Sequence, residues 1–344
     1  MPTAPAPLRL RLNASALAAN FRDLATRAGV PAYAAVKADA YGLGAQEVVR
    51  RLKPLNPAGF AVATWPEALA LGRADLDMLI LHGFTTDCAA AAAALPRARP
   101  VLATTAQIAA WATAFPGRMA DLMVETGMNR LGIDPADIAA AIAAIPIHTI
   151  HSHLACADEQ GHPLTLRQLN IFRAIAAATP AHSHALANSA GIHWGRAFSF
   201  SAVRPGLGLY GGQAHPDATP HHVVTPEARI LQIRTVPAGQ SVGYGATWTA
   251  PTDSRIAILN IGYADGICRA TAPKLQLHAG PQPIPAVGLI SMDMIAANVS
   301  NLDLSEGDWL SLDWHLPTLG PATGISQYEL LTRLGPRFER VWEI

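Results

Sequence analysis

Short apolar runs alternate with alanine-rich amphipathic stretches through the first two thirds of the chain, and no other feature restricts its fold as strongly. AYAAV at 32–36 is followed by GAQEVVRRL, GFAVA at 59–63 by PEALALGRA, DMLILHG at 77–83 by TDCAAAAAAL, and RPVLA at 99–103 by TAQIAAWATAF. ADLMVE at 120–125 leads through a glycine-containing loop to PADIAAAIAAI, HTIHSHLA at 148–155 leads to LTLRQLNIFRAIAAA, and SHALA and FSAVR close the series before residue 210. The short runs read as strands and the longer segments carry a helical period. Strands alternating with helices build parallel βαβ units, and eight such units close into a TIM-type (β/α)8 barrel. An open doubly wound sheet is the alternative. It calls for a glycine-rich phosphate turn after the first strand, and no G-x-G-x-x-G stands there.

After about Thr225 the pattern changes. EARILQIRTV, SRIAILNIGYA, IPAVGLISMDMIAANVS and DWLSLDW are β-type runs separated by Pro and Gly, with little helical period until ISQYELLTRL. The expected organisation is a barrel over 10–224 followed by a mainly β domain over 225–344. An opening strand around residues 1–9, announced by the alternation in LRLRL, is a candidate to pair with the later sheet.

Composition narrows the function classes. The formal net charge is zero and only 15% of residues are charged, so the basic footprint of a nucleic-acid binder is missing. Half of the chain is hydrophobic, which predicts a large core rather than disorder. The stretch 138–157 has no Asp, Glu, Lys or Arg but is interrupted by Pro146, His148, His151, Ser152 and His153, so it reads as core and not as a bilayer span. Cys88, Cys156 and Cys268 are odd in number and far apart, which suits free thiols of a cytoplasmic protein. The first residues, MPTAPAPLRL, lack the pattern of a signal peptide. The two His-Ser-His triplets, 151–153 and 182–184, are not read as a metal site.

In a TIM-type barrel the active site lies at the C-terminal ends of the strands. Lys37 follows the first candidate strand, Arg130 in TGMNRLG follows the fifth, and His153 ends the sixth. Asn188 and Ser189 in NSAG follow the seventh, and Arg204 ends the eighth. Each has an ordinary alternative: a solvated strand-end charge, a loop ion pair, a hydrogen-bonded core histidine, a helix cap. Together they place polar groups from five strand ends on one rim. A lysine in a partly apolar mouth has a depressed pKa and becomes a nucleophile toward an aldehyde. Asn188, Ser189 and nearby backbone N–H groups suit a phosphate, which barrels often hold after strands seven and eight. An amine and a phosphate site on one rim suggest pyridoxal phosphate. Arg204 then faces the ring nitrogen, and Arg130 is placed to clamp a carboxylate. The second domain adds Tyr244 in VGYGATW and Tyr263 in IGYADG, each in a tight glycine setting.

AVKADAYGLG, TGMNRLG, HSHLACADE, ALANSAG, VRPGLGLYG, VGYGATW, GYADG and SMDM resemble the alanine racemase family, in order and spacing, from about residue 8 to the C-terminal end. The resemblance implies a pyridoxal-phosphate enzyme with a barrel and a β domain, acting as a head-to-tail homodimer with shared active sites. It implies that Lys37 holds the cofactor covalently, that Tyr41, Ser189 and Tyr328 sit at the phosphate with backbone N–H groups near Gly206 and Leu207, and that His153 lies close to the ring. It further implies that Arg130 and the Met292 backbone receive the substrate carboxylate, that Tyr244 of the partner subunit is the second base, and that Tyr263 narrows the way in. The expected reaction is interconversion of L- and D-alanine, supplying D-alanine for peptidoglycan. The rival readings are a racemase of broader range and a non-catalytic pyridoxal-phosphate carrier, the latter opposed by the long β domain.

Three positions depart from the family pattern. Met123 stands where many members carry a lysine that braces Arg130, so Arg130 is expected to be held otherwise, by a bound anion or water. Glu125 replaces an aspartate before TGM, and Leu43 replaces the histidine of YGHG.

Overall fold

The computed structural model describes residues 6–272 and 274–343. The chain divides into two compact units, one spanning Leu17–His221 and the other formed by the described residues within Met1–Ala16 and His222–Ile344. Strand β1 (Leu8–Asn13) comes first in the chain but belongs to the second unit.

In the first unit β2 (Tyr33–Ala35), β3 (Gly59–Val62), β4 (Met78–Ile80), β5 (Ala98–Leu102), β6 (Ala120–Met123), β7 (Ile147–His151) and β8 (Ser183–Ala185) pair in sequence order, all parallel. Every residue of β3 and β6 is buried, as expected when helices cover one face of a parallel sheet and side chains fill the other. The ring closes through residues 202–204. Ala202 bridges Ala185 on β8, Val203 bridges Ala32 just before β2, and the Tyr33 N–H donates to the Val203 carbonyl at 2.9 Å. FSAVR is thus the eighth stave, but regular pairing is confined to a few residues. Phe200 sits at φ 47° on one side and Pro205 has no N–H to give on the other. The architecture is the TIM-type barrel that the alternation predicts.

One helix is held by a side chain from outside its own sequence. Ala89–Ala94 is a run of alanines with nothing to cap its last carbonyls. Arg118 does so instead, donating to Ala92 O at 2.8 Å, Leu95 O at 2.7 Å and Ala98 O at 3.0 Å. The uncharged stretch 138–157 divides between the helix Ile138–Ala144 and β7. No helix among the described residues is long and apolar enough to cross a membrane.

The second unit is built on β9 (Val224–Val236), thirteen residues long. Its first half pairs with β1 and with β16 (Trp309–Leu312), its second half with β12 (Ser254–Leu259), with a register shift at Ile258/Leu259. The short hairpin β10 (Ser241–Val242) and β11 (Trp248–Thr249) leaves it as a separate ribbon. From β12 the sheet runs through β15 (Ile295–Asn298), β14 (Gln282–Val287) and β13 (Gln276–Ala279) back to β16, so these strands close on β9, and β1 and β17 (Glu339–Glu343) extend the sheet beyond it. LRLRL pairs with this sheet. Leu8, Leu10 and Leu12 are buried while Arg9 and Arg11 meet the buried carboxylate of Glu227, which is the alternation a strand imposes. The first five residues lie outside the described ones.

Candidate active site

β2 ends at Ala35, and Lys37 follows at the C-terminal rim, half-buried. Burial lowers its amine pKa, the neighbouring Arg130 and Arg204 lower it further, and Glu67 partly opposes them. The next four residues, 38–41, take φ of 52°, 52°, 54° and 57°. A left-handed turn of Ala, Asp, Ala and Tyr costs roughly 1–2 kcal/mol per residue, so neighbours must hold it. Glu67 Oε1 accepts from the Ala38 N–H at 2.9 Å, and Asp39 Oδ1 accepts from the Ala45 N–H at 2.7 Å. Glu67 is itself fixed by a reciprocal cap with Thr64. The strained turn brings Tyr41 back under the rim.

Tyr41 is 5% exposed, and its ring packs at 4.8 Å on Tyr210, whose hydroxyl donates to Ala35 O at 2.7 Å. Ser189 Oγ accepts from the Gly206 N–H at 2.8 Å and the Gly208 N–H at 3.2 Å. A side chain at Gly206 would lie inside contact distance of the Tyr41 hydroxyl. Two hydroxyls and a run of backbone N–H groups therefore crowd one point, with Leu207 opening the short helical turn beside them. Asn188 spends its Oδ1 on the Gly191 N–H at 2.9 Å, as a helix cap.

Arg204 is 6% exposed and carries four hydrogen bonds. Nη1 donates to His151 Nδ1 at 2.8 Å and to Ala185 O at 2.9 Å, and Nη2 donates to Ser152 O and, at 3.5 Å, to Leu186 O. Burial pushes its pKa down to about 10, which leaves it charged at neutral pH. His153 follows the end of β7. Burial, then the charges of Arg204, Arg130 and Lys37, push it down to about 3, so its ring is neutral. The triplet 151–153 straddles the strand end, with His151 inside the barrel and His153 on the loop.

Arg130 lies exposed on the loop after β6, and its guanidinium has no partner among the described residues. Met123 is buried at the end of β6. The loop itself is held by Glu125. Burial alone would raise that carboxyl, but backbone N–H groups of Asn129, Gly127, Arg130 and Met128 outweigh it and hold the pKa low. In sequence Glu125 stands out only as a replacement for aspartate, yet it organises the turn that carries Arg130. Gln168 was also missed. From the helix Pro163–Ala178 it donates to His153 O at 2.8 Å and Thr126 Oγ1 at 3.2 Å and accepts from the Ala155 N–H at 2.9 Å, tying the loops after β6 and β7 together. A buried amide in an amphipathic helix was the available signal.

In the second unit Tyr244 stands on the turn between β10 and β11, 71% exposed. Tyr263 and Met292 are brought together. The Tyr263 N–H donates to Ser291 O and the Ala264 N–H to Met292 O, each at 3.0 Å, and Gly262 passes too close to Met292 to carry a side chain. Gly288 similarly packs against Val242 O, so the loops bearing Tyr244, Tyr263 and Met292 adjoin. Tyr328 is half-exposed on the helix Gln327–Thr332.

Residues 12–214 match the family model of the alanine racemase N-terminal domain, and residues 223–342 match that of the C-terminal domain. The chain belongs to the alanine racemase family. It is 40% identical to an alanine racemase of Methylobacterium nodulans over 356 aligned positions, covering 96% of this chain and 95% of the relative, and 38% identical to one from Dinoroseobacter shibae over 96% and 97%. Among solved structures, the alanine racemase of Bartonella henselae with covalently bound pyridoxal phosphate superposes with a TM-score of 0.88 at 32% identity, covering 98% of this chain and all of the other. The biosynthetic alanine racemase of Pseudomonas aeruginosa gives 0.88 at 34%, with coverages of 99% and 100%. As a member of the family, this chain is an amino-acid racemase.

Proposed function

We propose that the protein interconverts L- and D-alanine with pyridoxal phosphate, and that Lys37 and Tyr244 handle the α-proton on opposite faces of the substrate. The observation that carries the reading is the half-buried Lys37 amine, its pKa lowered beside Arg130 and Arg204, on the same rim as the Tyr41, Ser189 and Gly206 donors. These residues fit the cofactor. Gly206 leaves a cradle that a methyl group would fill, and Ser189, Gly206 and Gly208 present hydroxyl and N–H groups suited to phosphate oxygens.

When bound, pyridoxal phosphate supplies an aldehyde for the substrate amine and a conjugated ring that spreads the charge left at the α-carbon. Tyr41, Ser189, Tyr328 and the N–H groups of Gly206 and Leu207 would hold the phosphate, with Asn188 fixing the local turn. His153, neutral, would lie close to the ring, and Arg204 would offer its charge to the ring nitrogen. Arg130, with the Met292 backbone, orients the substrate carboxylate. Its guanidinium is unengaged by the described residues and so is available for a bidentate grip. Lys37 Nζ takes or returns the α-proton on one face. Burial and the neighbouring arginines lower the amine pKa and so ease loss of its proton, which is what a base needs.

Tyr244 serves the other face from the partner subunit. A tyrosine so exposed on a hairpin, beside the exposed Tyr263, Leu289, Met292 and Met294, suits a homodimer contact that completes the partner's site. Tyr263 narrows the way in. D-alanine made in the cytoplasm would supply peptidoglycan.

A kinetic screen of the common amino acids in both configurations tests the reading. Alanine should exceed serine and the basic amino acids by at least about tenfold in kcat/KM. Equal rates on several of them would replace it with the broader racemase. Gly206→Ala should weaken pyridoxal-phosphate binding by about 5- to 100-fold, the cost of overpacking a formed site. Tyr41, braced by Tyr210, has little room to retreat. Equilibrium titration of the apoprotein measures this, and unchanged affinity would remove Gly206 from the phosphate site.

A further inference from the structure

The chain of contacts behind Arg204 runs across the barrel. His151 Nε2 lies 2.9 Å from Asp121 Oδ2, Arg99 Nε donates to Asp121 Oδ1 at 2.8 Å, and Arg99 Nη2 donates to the Tyr33 hydroxyl at 3.1 Å. Asp121 and His151 are wholly inaccessible to solvent. Burial would raise the Asp121 carboxyl, but His151 and Arg99 outweigh it and hold it ionised. A carboxylate only accepts, so His151 Nε2 must carry the proton. A guanidinium only donates, so His151 Nδ1, 2.8 Å from Arg204 Nη1, must be bare. One neutral tautomer meets both demands. A doubly protonated ring would set N–H against N–H, and burial accordingly pushes the His151 pKa down to about 4, the Asp121 bond opposing and the Arg204 charge reinforcing the shift.

Among the described residues, His151 is also the only one whose side chain accepts a hydrogen bond from Arg204. The three other acceptors are the carbonyls of Ser152, Ala185 and Leu186, which are fixed by the barrel itself. With both Nη groups engaged, Nε–H is the one donor of the five that has no acceptor among the described residues.

We propose that His151, fixed in its Nε2–H tautomer by Asp121, is a positioning residue that aims the Arg204 Nε–H at the ring nitrogen of pyridoxal phosphate. This rests on the reading that Arg204 faces that nitrogen. An imidazole held from behind by a carboxylate gives Arg204 a directional acceptor that carbonyls alone do not supply, and it leaves the guanidinium no rotation that keeps all four bonds. It acts on Arg204 and does not itself meet substrate.

The test compares the dissociation constants of pyridoxal phosphate and its 1-deaza analogue, in which C–H replaces the ring nitrogen, on four apoproteins: the parent, Arg204→Leu, His151→Leu and His151→Asn. The parent should prefer pyridoxal phosphate by about tenfold, the size of one charge-assisted hydrogen bond. Arg204→Leu should abolish the preference. If it does not, the reading of Arg204 fails. His151→Leu should cut the preference to about twofold or less, whereas His151→Asn, whose Oδ1 can stand near the place of Nδ1, should keep most of it. If Arg204→Leu abolishes the preference but His151→Leu leaves it intact, or if Leu and Asn lose it alike, the positioning role alone is overturned. Nitrogen-15 NMR of His151 in the parent apoprotein decides independently of any variant. A proton on Nε2 alone at pH 7 is expected, and a proton on Nδ1 overturns the proposal.

Discussion

Lys37→Ala is expected to lower alanine racemisation by at least about ten-thousand-fold. It removes a proton carrier, an effect of about 100- to 10,000-fold by itself, together with the amine proposed to hold the cofactor covalently. The fold should not suffer. Lys37 is a half-buried cation whose pKa is lowered by burial and by two neighbouring arginines, so its charge is unfavourable where it sits, and removing it relieves desolvation and like-charge repulsion. Melting temperature should therefore hold or rise slightly while activity disappears. The left-handed turn should persist as well, because its clamps are the carboxylates of Glu67 and Asp39 acting on backbone N–H groups, not the lysine amine. Borohydride reduction followed by mass spectrometry gives the separate readout. The parent should retain the cofactor mass on the peptide containing residue 37 and the variant should not. Covalent cofactor found on another lysine would sink the assignment, and Lys53 and Lys274 are the only others in the chain. A small primary amine added to the variant should restore part of the activity if proton transfer is the missing element.

The barrel was legible because its cause is local. Each apolar run and the alanine-rich segment after it carry their own period, and the rim residues Lys37, Arg130, His153 and Arg204 follow from where those runs end. Other features depend on distant partners. Ala38, Asp39, Ala40 and Tyr41 contain no glycine to announce a left-handed turn. That conformation is clamped by Asp39 and by Glu67, whose position three residues after Thr64 reads in sequence only as a helix cap. Glu125 looks like a neutral replacement until its carboxylate is seen collecting the N–H groups of the Arg130 loop. The buried line from Tyr33 through Arg99, Asp121 and His151 to Arg204 draws on five different staves. Its one local sign was an Asp in the middle of an apolar strand, which physical chemistry forbids without a partner. That sign says a partner exists without saying which. His151 thus read only as part of a His-Ser-His triplet, though its ring accepts a hydrogen bond from Arg204.

Tyr244→Phe should leave cofactor affinity unchanged and lower racemisation by about 100- to 10,000-fold, the range for loss of one acid/base group. The direction of the loss is subtle. L- and D-alanine have equal free energies, so the ratio of kcat/KM in the two directions is fixed at one for any variant, and net racemisation must fall equally from both sides. The asymmetry lies in the half-reactions. In deuterated water, Lys37 still exchanges the α-proton that faces it, so D-alanine should wash in deuterium at close to the parent rate while keeping its configuration. L-alanine, whose proton faces the missing phenol, should exchange no faster than it racemises. The hairpin should be undisturbed, because Tyr244 is exposed and its turn is set by Gly243, Gly245 and Ala246, all at positive φ. If both enantiomers lose exchange to the same degree, the two faces are not divided between Lys37 and Tyr244. Mixing this variant with Lys37→Ala then asks whose site the phenol serves. If Tyr244 acts across a homodimer, heterodimers pair one site lacking both groups with one site retaining both, and activity should recover toward one half of the parent sites in the mixed dimers. If each chain uses its own tyrosine, every site lacks one group and mixing recovers nothing.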